Sequence, residues 1–165
     1  MKKIISDKLP RVLKSKLRLE KELNVKISNR GKEVYISGEP EEEYIAEKVI
    51  DAINFGFLIE DALSIKNEEK LFEIINIKDH TTRKDINLIR GRIIGKQGKT
   101  KQTISNLTKC DLEINGHLVG IIGYAELIKN AQEAIISLVH GTKQTNVYAH
   151  LEKNQIKPVL DLGLK

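Results

Sequence analysis

Residues 90–101, Arg90-Gly91-Arg92-Ile93-Ile94-Gly95-Lys96-Gln97-Gly98-Lys99-Thr100-Lys101, decide how the chain reads. Gly95 and Gly98 enclose two polar residues, and helical spacing lies on both sides. The segment 85–94 predicts a short helix running into Gly95. The segment 99–109 predicts a second, with Ile104 and Leu107 on one buried face. Two glycines allow a sharp turn and a close approach by another backbone. The helix that follows offers free N–H groups and the positive end of its dipole, which suit phosphate. Arg90, Arg92, Lys96, Lys99 and Lys101 add charge, while Ile93 and Ile94 can form an apolar floor for bases. The plain alternative is an ordinary helix turn with a solvated basic face.

Working outward, 70–77 (KLFEIINI) predicts a strand and 111–122 a hairpin turning at Asn115-Gly116. A long helix starts near Tyr124, with Leu127, Ile128, Ala131, Ile135 and Leu138 as its apolar stripe and Gly141 placed to end it. The order is β-α-α-β-β-α, a sheet with one face against three helices.

The chain also matches itself at an offset of 85 residues: Val25 with Cys110, Gly31 with Gly116, Gly38 with Gly123, Gly56 with Gly141. The earlier copy predicts a helix near 14–23, strands at 24–29 and 32–37, and a helix at 41–55. Residues 57–65 predict a bridging helix, 145–156 one more helix, and the last residues (PVLDLGLK) a loosely held tail. At this offset the glycine loop faces Pro10-Arg11-Val12-Leu13, which has no second glycine pair and little chain before it for a first strand. The expectation is an α+β chain of two units, 1–69 and 70–165, the first truncated and degenerate.

Composition narrows the class. One Cys excludes an internal disulfide framework. One Cys and four scattered His give no structural zinc spacing, so no metal or cofactor is expected. No apolar run approaches a membrane span, and the basic N-terminus lacks a signal-type core, which makes a cytoplasmic location the default. Net charge is +5, in alternating blocks: +8 over 1–32, −8 over 33–70, and +7 over 83–109. Concentrated positive charge favours nucleic acid. Neither basic block contains an aromatic, which argues against base-stacking platforms.

Ile93-Ile94-Gly95-Lys96-Gln97-Gly98, with Ile104 downstream and two strands and a helix after it, resembles a type I K-homology (KH) domain. That family holds about four nucleotides of single strand along its GXXG loop. The resemblance makes Gly95, Lys96, Gln97 and Gly98 a backbone clamp, with Lys99, Thr100 and Lys101 following it. It makes Ile93 a groove-lining residue, and Leu112 and Ile114 the strand edge opposite. Paired units, Ala52-Ile53-Asn54-Phe55-Gly56-Phe57 between them, GRIIGKQGKT, and Asn146-Val147-Tyr148-Ala149-His150-Leu151-Glu152 together resemble the archaeal two-KH-domain family of small-subunit ribosome assembly. This family is related to the eukaryotic partner of the Nob endonuclease, and the resemblance covers roughly 19–153. It implies binding of the 3′ region of small-subunit ribosomal RNA and assistance in its maturation, without catalysis. An rRNA-processing endonuclease or another assembly or translation factor is the implied protein partner.

Two other functions compete. A general single-strand RNA or DNA binder in RNA decay or translation control would keep the KH fold. A nucleotide-binding P-loop is suggested by Gly98-Lys99-Thr100, but its first glycine would have to stand where Ile93 is. Cys110 begins a predicted strand opposite Val25, which makes it a small buried hydrophobe rather than a nucleophile.

Overall fold

The computed structural model describes residues 1–155 and contains two successive β-α-α-β-β-α units. The first comprises β1 (Lys2–Ile5), α1 (Leu9–Lys14), α2 (Lys16–Leu23), β2 (Lys26–Arg30), β3 (Glu33–Ser37) and α3 (Pro40–Phe55). Helix α4 (Ile59–Leu63) and a 3-10 turn, Ser64–Lys66, lead onward. The second comprises β4 (Lys70–Asn76), α5 (Ile86–Ile94), α6 (Lys99–Thr108), β5 (Asp111–Asn115), β6 (Leu118–Tyr124) and α7 (Ala125–Val139), followed by α8 (Gln144–Lys153). The tail PVLDLGLK lies outside the described residues.

Each unit carries a three-stranded antiparallel sheet, in the orders β1-β3-β2 and β4-β6-β5. The first unit is therefore not truncated. β1 pairs with β3 from Lys2↔Ile36 to Ile5↔Glu33. So short a leader suffices because only Ser6, Asp7 and Lys8 separate β1 from α1. Pro10 sits in the first turn of α1, where a missing N–H costs nothing. The helix expected at 14–23 is broken at Ser15, which makes α1 and α2 separate pieces.

The 85-residue offset holds from α2 to the end of α3 and fails before it. Along that stretch, aligned positions share a backbone conformation. Asn24 and Lys109, Gly31 and Gly116, and Gly56 and Gly141 all have positive φ. Val25 packs on Gly38 as Cys110 packs on Gly123. Upstream, the second unit inserts a 3-10 turn, Ile77–His80, a loop and the glycine turn. Asn115 pairs with Leu118, so the hairpin turn is Gly116-His117 rather than Asn115-Gly116. Only Gly116 there has positive φ, at 59°, so the turn is not type I′, which needs positive φ at both central residues.

The central strand of the second sheet, β6, is buried on both faces. Val119 and Ile121 of β6 point into their own unit's core with Ile93, Ile104 and Ile135. Ile122 and the partly buried Leu118 join the first unit's core instead. Between these two, Gly120 leaves room for Phe55 and Phe57, which an added Cβ would meet at 2.8 and 2.9 Å. Phe55, Phe57 and Phe72 of β4 form a ring cluster with centroids 5.6 to 5.9 Å apart, each such pair contributing about 0.5–1.5 kcal/mol. The carbonyls at the junction are also held: Arg11 Nη2 donates to Phe57 O at 3.0 Å and Asn115 Nδ2 to Phe55 O at 3.1 Å.

Candidate nucleic-acid interface

The glycine turn is held from behind. Ile93 is fully buried in the second core, so α5 cannot rotate. Gly95 closes the helix with its N–H on Gly91 O at 2.8 Å and then takes φ 77° and ψ 174°, a conformation open essentially only to glycine. A Cβ there would lie 2.1 Å from Thr100 Oγ1 and 2.6 Å from the Thr100 backbone nitrogen. Gln97 is left-handed at φ 57°, and Gly98 at φ 75° faces open space. Such strain in a non-glycine residue is sustained only where the surroundings over-determine it.

This geometry sorts the expected site residues. Lys96, Gln97 and Lys99 are exposed at the tip. No side chain caps the N-terminus of α6, where first-turn N–H groups lack intrahelical partners. Ile94 is half-buried beside the loop and is the isoleucine available to a ligand. Ile93 is an interior residue with no free surface, so it cannot line a groove. Thr100 is buried as well, packed against Gly95 and accepting a 3.5 Å contact from Gln144 Nε2.

Arg92 is also diverted. Its Nη1 donates to Leu138 O at 2.8 Å and its Nη2 to Thr142 O at 2.6 Å. The guanidinium therefore satisfies carbonyls at the end of α7 instead of facing out. Gln144 at the start of α8 completes the brace by donating to Arg92 O at 3.3 Å. No local sequence pattern points to Gln144, whose role depends on where α8 packs. Arg90 differs from Arg92: its Nε is buried with no partner among the described residues.

Opposite the loop, β5 is the free edge of its sheet. The Leu112 side chain is buried, so this position offers only backbone, while Ile114 is partly exposed. Lys101 is not a free cation, because its Nζ lies 3.7 Å from Glu113 Oε2 on β5. Glu113 is the acceptor that the sequence reading missed. Below it, burial raises the Asp111 carboxyl, helped by the charge of Asp61 on α4. Burial likewise pushes the Cys110 thiol up to about 11, an inert position.

A P-loop is overturned on two counts. A helix, not a strand, precedes the loop, and Thr100, which would have to bind a metal, is buried against Gly95. Among the described residues no helix is long and apolar enough to cross a membrane.

A family model described as the eukaryotic-type KH domain (KH-domain type I), of the PNO1 second-domain kind, matches residues 71–156. A KH domain-containing protein of Methanocaldococcus jannaschii is 33% identical over 146 residues, 84% of this chain and 64% of the relative. The pre-rRNA-processing protein pno1 of Aspergillus fumigatus is 34% identical over 111 residues, 65% of this chain and 44% of that protein. The chain thus spans about half to two thirds of the length of these curated relatives. Dim2p from Pyrococcus horikoshii superposes with a TM-score of 0.84 at 30% identity, covering 93% of this chain and 98% of that one. A second P. horikoshii structure, the a/eIF2alpha–aDim2p–rRNA complex, gives 0.82 at 31% identity, covering 93% of each chain.

Proposed function

The chain belongs to the eukaryotic-type (type I) KH-domain family of the PNO1 kind, and from that premise we propose that it is a non-catalytic single-stranded RNA-binding protein. Its target is the 3′ region of small-subunit ribosomal RNA, whose maturation it assists. The observation that carries this reading is the braced Gly95–Gly98 turn, which sets exposed Lys96 and Lys99 and an uncapped helix N-terminus beside the free β5 edge. The names of the relatives, with pre-rRNA processing in one and rRNA in another, support the choice of RNA.

The strand lies with its phosphates on the loop and its bases toward β5. Lys96, Gln97, Gly98 and Lys99 hold the backbone, and Arg90 on α5 adds positive charge beside them. Ile94 and Ile114 supply apolar contact. Gly95, Ile93, Arg92, Thr100 and Leu112 act by holding the loop and the edge in place. The division into 1–69 and 70–165 gives the second unit the RNA and the first a positioning role. An rRNA-processing endonuclease or a translation factor is the protein partner, and the cytoplasm is the location. The a/eIF2alpha in the complex of a similar chain favours a factor of the second kind.

The test is fluorescence anisotropy at fixed salt with RNA of the small-subunit 3′ end, a shuffled RNA and an equal-length DNA. Preference for the ribosomal end by roughly tenfold is expected, about 1.4 kcal/mol. Equal binding to the shuffled control would instead make this a general single-strand binder. Lys96→Asp with Gln97→Asp should abolish binding and leave the fold intact, since both side chains are exposed. With two or three phosphates neutralised, the slope of log affinity against log salt should be about −1.4 to −2.

A further inference from the structure

We propose that the outer edge of β4, with the groove beside it, is a docking site for an extended basic segment of a partner protein, which adds to the sheet as a fourth strand. This goes beyond RNA binding and uses the opposite edge of the same sheet, since β6 separates β4 from β5.

The backbone supplies the first argument. Ile77 N donates to His117 O at 2.8 Å and so continues the β4–β6 ladder. Strand alternation then turns Leu71, Glu73 and Ile75 toward β6. Phe72, Ile74 and Asn76 present their N–H and C=O groups outward. Lys70, the next outward residue, has its N–H on Asn67 O at 2.9 Å. The edge is therefore open from Phe72 to Asn76, with no strand on it among the described residues. Proteins usually blunt such an edge with proline, a bulge or lysines. Here the ladder runs unbroken over all seven residues, and the only lysine is Lys70 at its start.

The side chains supply the second. Leu71 is 41% exposed, Ile74 49%, and Tyr44 on the facing helix α3 57%. Between α3 and β4 runs a groove of about 740 Å³, floored by Ile45, Ile65 and Phe72. Such a groove accepts every second side chain of an added strand, while the backbone ladder supplies affinity.

Charge decides the occupant. Glu41, Glu68 and Glu73 rim the groove, within a stretch, 33–70, of net charge −8. The two lysines lining the groove are engaged with aromatic rings, Lys48 5.4 Å from the Tyr44 centroid and Lys70 5.3 Å from that of Tyr124. A polyanion would be repelled here. A segment alternating apolar and basic residues matches both the groove and its rim.

The probe is a fluorescein-labelled peptide of alternating valine and lysine, about ten residues long and blocked at both ends. It is titrated by anisotropy into the full chain, beside a valine–glutamate peptide and a valine–lysine peptide N-methylated at alternate residues. Binding roughly tenfold tighter than either control is expected. Ile74→Pro, which removes an outward N–H without touching the β6 ladder, should abolish it. Glu41→Lys with Glu73→Lys, both exposed, should weaken it roughly tenfold and decides the matter if the proline variant fails to fold. Saturating RNA should leave peptide affinity unchanged. Equal binding of the methylated peptide, indifference to the charge reversal, competition by RNA, or self-association of the chain through β4 would each overturn the proposal.

Discussion

Replacing Gly95 by alanine tests the brace most directly. At φ 77° and ψ 174° a side chain sits in a region that costs about 1–3 kcal/mol to occupy. The added methyl would also lie 2.6 Å from both the Cβ and the backbone nitrogen of Thr100, and overpacking of this kind costs about 1–3 kcal/mol more. The structure can relieve the overlap only by moving the loop away from α6, which destroys the site. Gly98→Ala provides the control. It has a similar φ of 75° but nothing within 4 Å, so it should lose only about 1–2 kcal/mol. Urea unfolding at 25 °C should therefore place Gly95→Ala about 1–4 kcal/mol below Gly98→Ala. RNA titration should find binding lost in Gly95→Ala through the displaced loop, and weakened in Gly98→Ala, whose methyl would stand where the RNA backbone approaches. Thr100→Ala added to Gly95→Ala should recover only part of the loss, because Thr100 Cβ and N stay in place. If the two glycine variants agree within about 0.5 kcal/mol, the close approach to Thr100 does not constrain this loop.

Arg92→Ala should cost about 1.5–3 kcal/mol through lost charged hydrogen bonds to Leu138 O and Thr142 O. The salt dependence of RNA binding should stay unchanged, and a shallower slope would return Arg92 to the phosphates. Gly120→Ala would press a methyl to within 2.8 Å of Phe55 and 2.9 Å of Phe57. Calorimetry should show a loss of about 1–3 kcal/mol, and an unperturbed melt would mean that the aromatic cluster yields freely. Asp111 has its carboxyl raised by burial and then by Asp61, so the folded state binds more protons than the unfolded one. Its ionisation therefore weakens the fold as pH rises from the ordinary value of 3.8 through the raised one. Asp111→Asn should raise the melting temperature at neutral pH, with the gain shrinking as pH falls toward the ordinary value of 3.8. A gain independent of pH would contradict this account.

Local chemistry explains what was legible from the sequence. Glycines at 95 and 98 between two apolar-periodic segments specify a helix-turn-helix, because few other residues take those backbone angles. The repeat was legible because its positive-φ turns recur at the same offset, along with its alternating strands. The second unit's elements and the β-α-α-β-β-α order were readable for these reasons. The hairpin turn was misplaced by one residue, because strand register is set by which face is buried and not by the turn pair alone.

The fold class, the repeat and the position of the glycine turn are all legible locally, because they depend on periodicity and backbone freedom within a few residues. What each side chain at that turn does is set by long-range packing. Ile93, Arg92 and Thr100 look like ligand contacts in sequence. They are taken up by a core, a helix end and a glycine's missing Cβ, contacts made with Ile135, Leu138, Thr142 and Gln144 far along the chain. The completeness of the first unit likewise depended on β1 finding β3 some thirty residues away. Burial and hydrogen-bond partners across such separations belong to packing, and no local pattern encodes them.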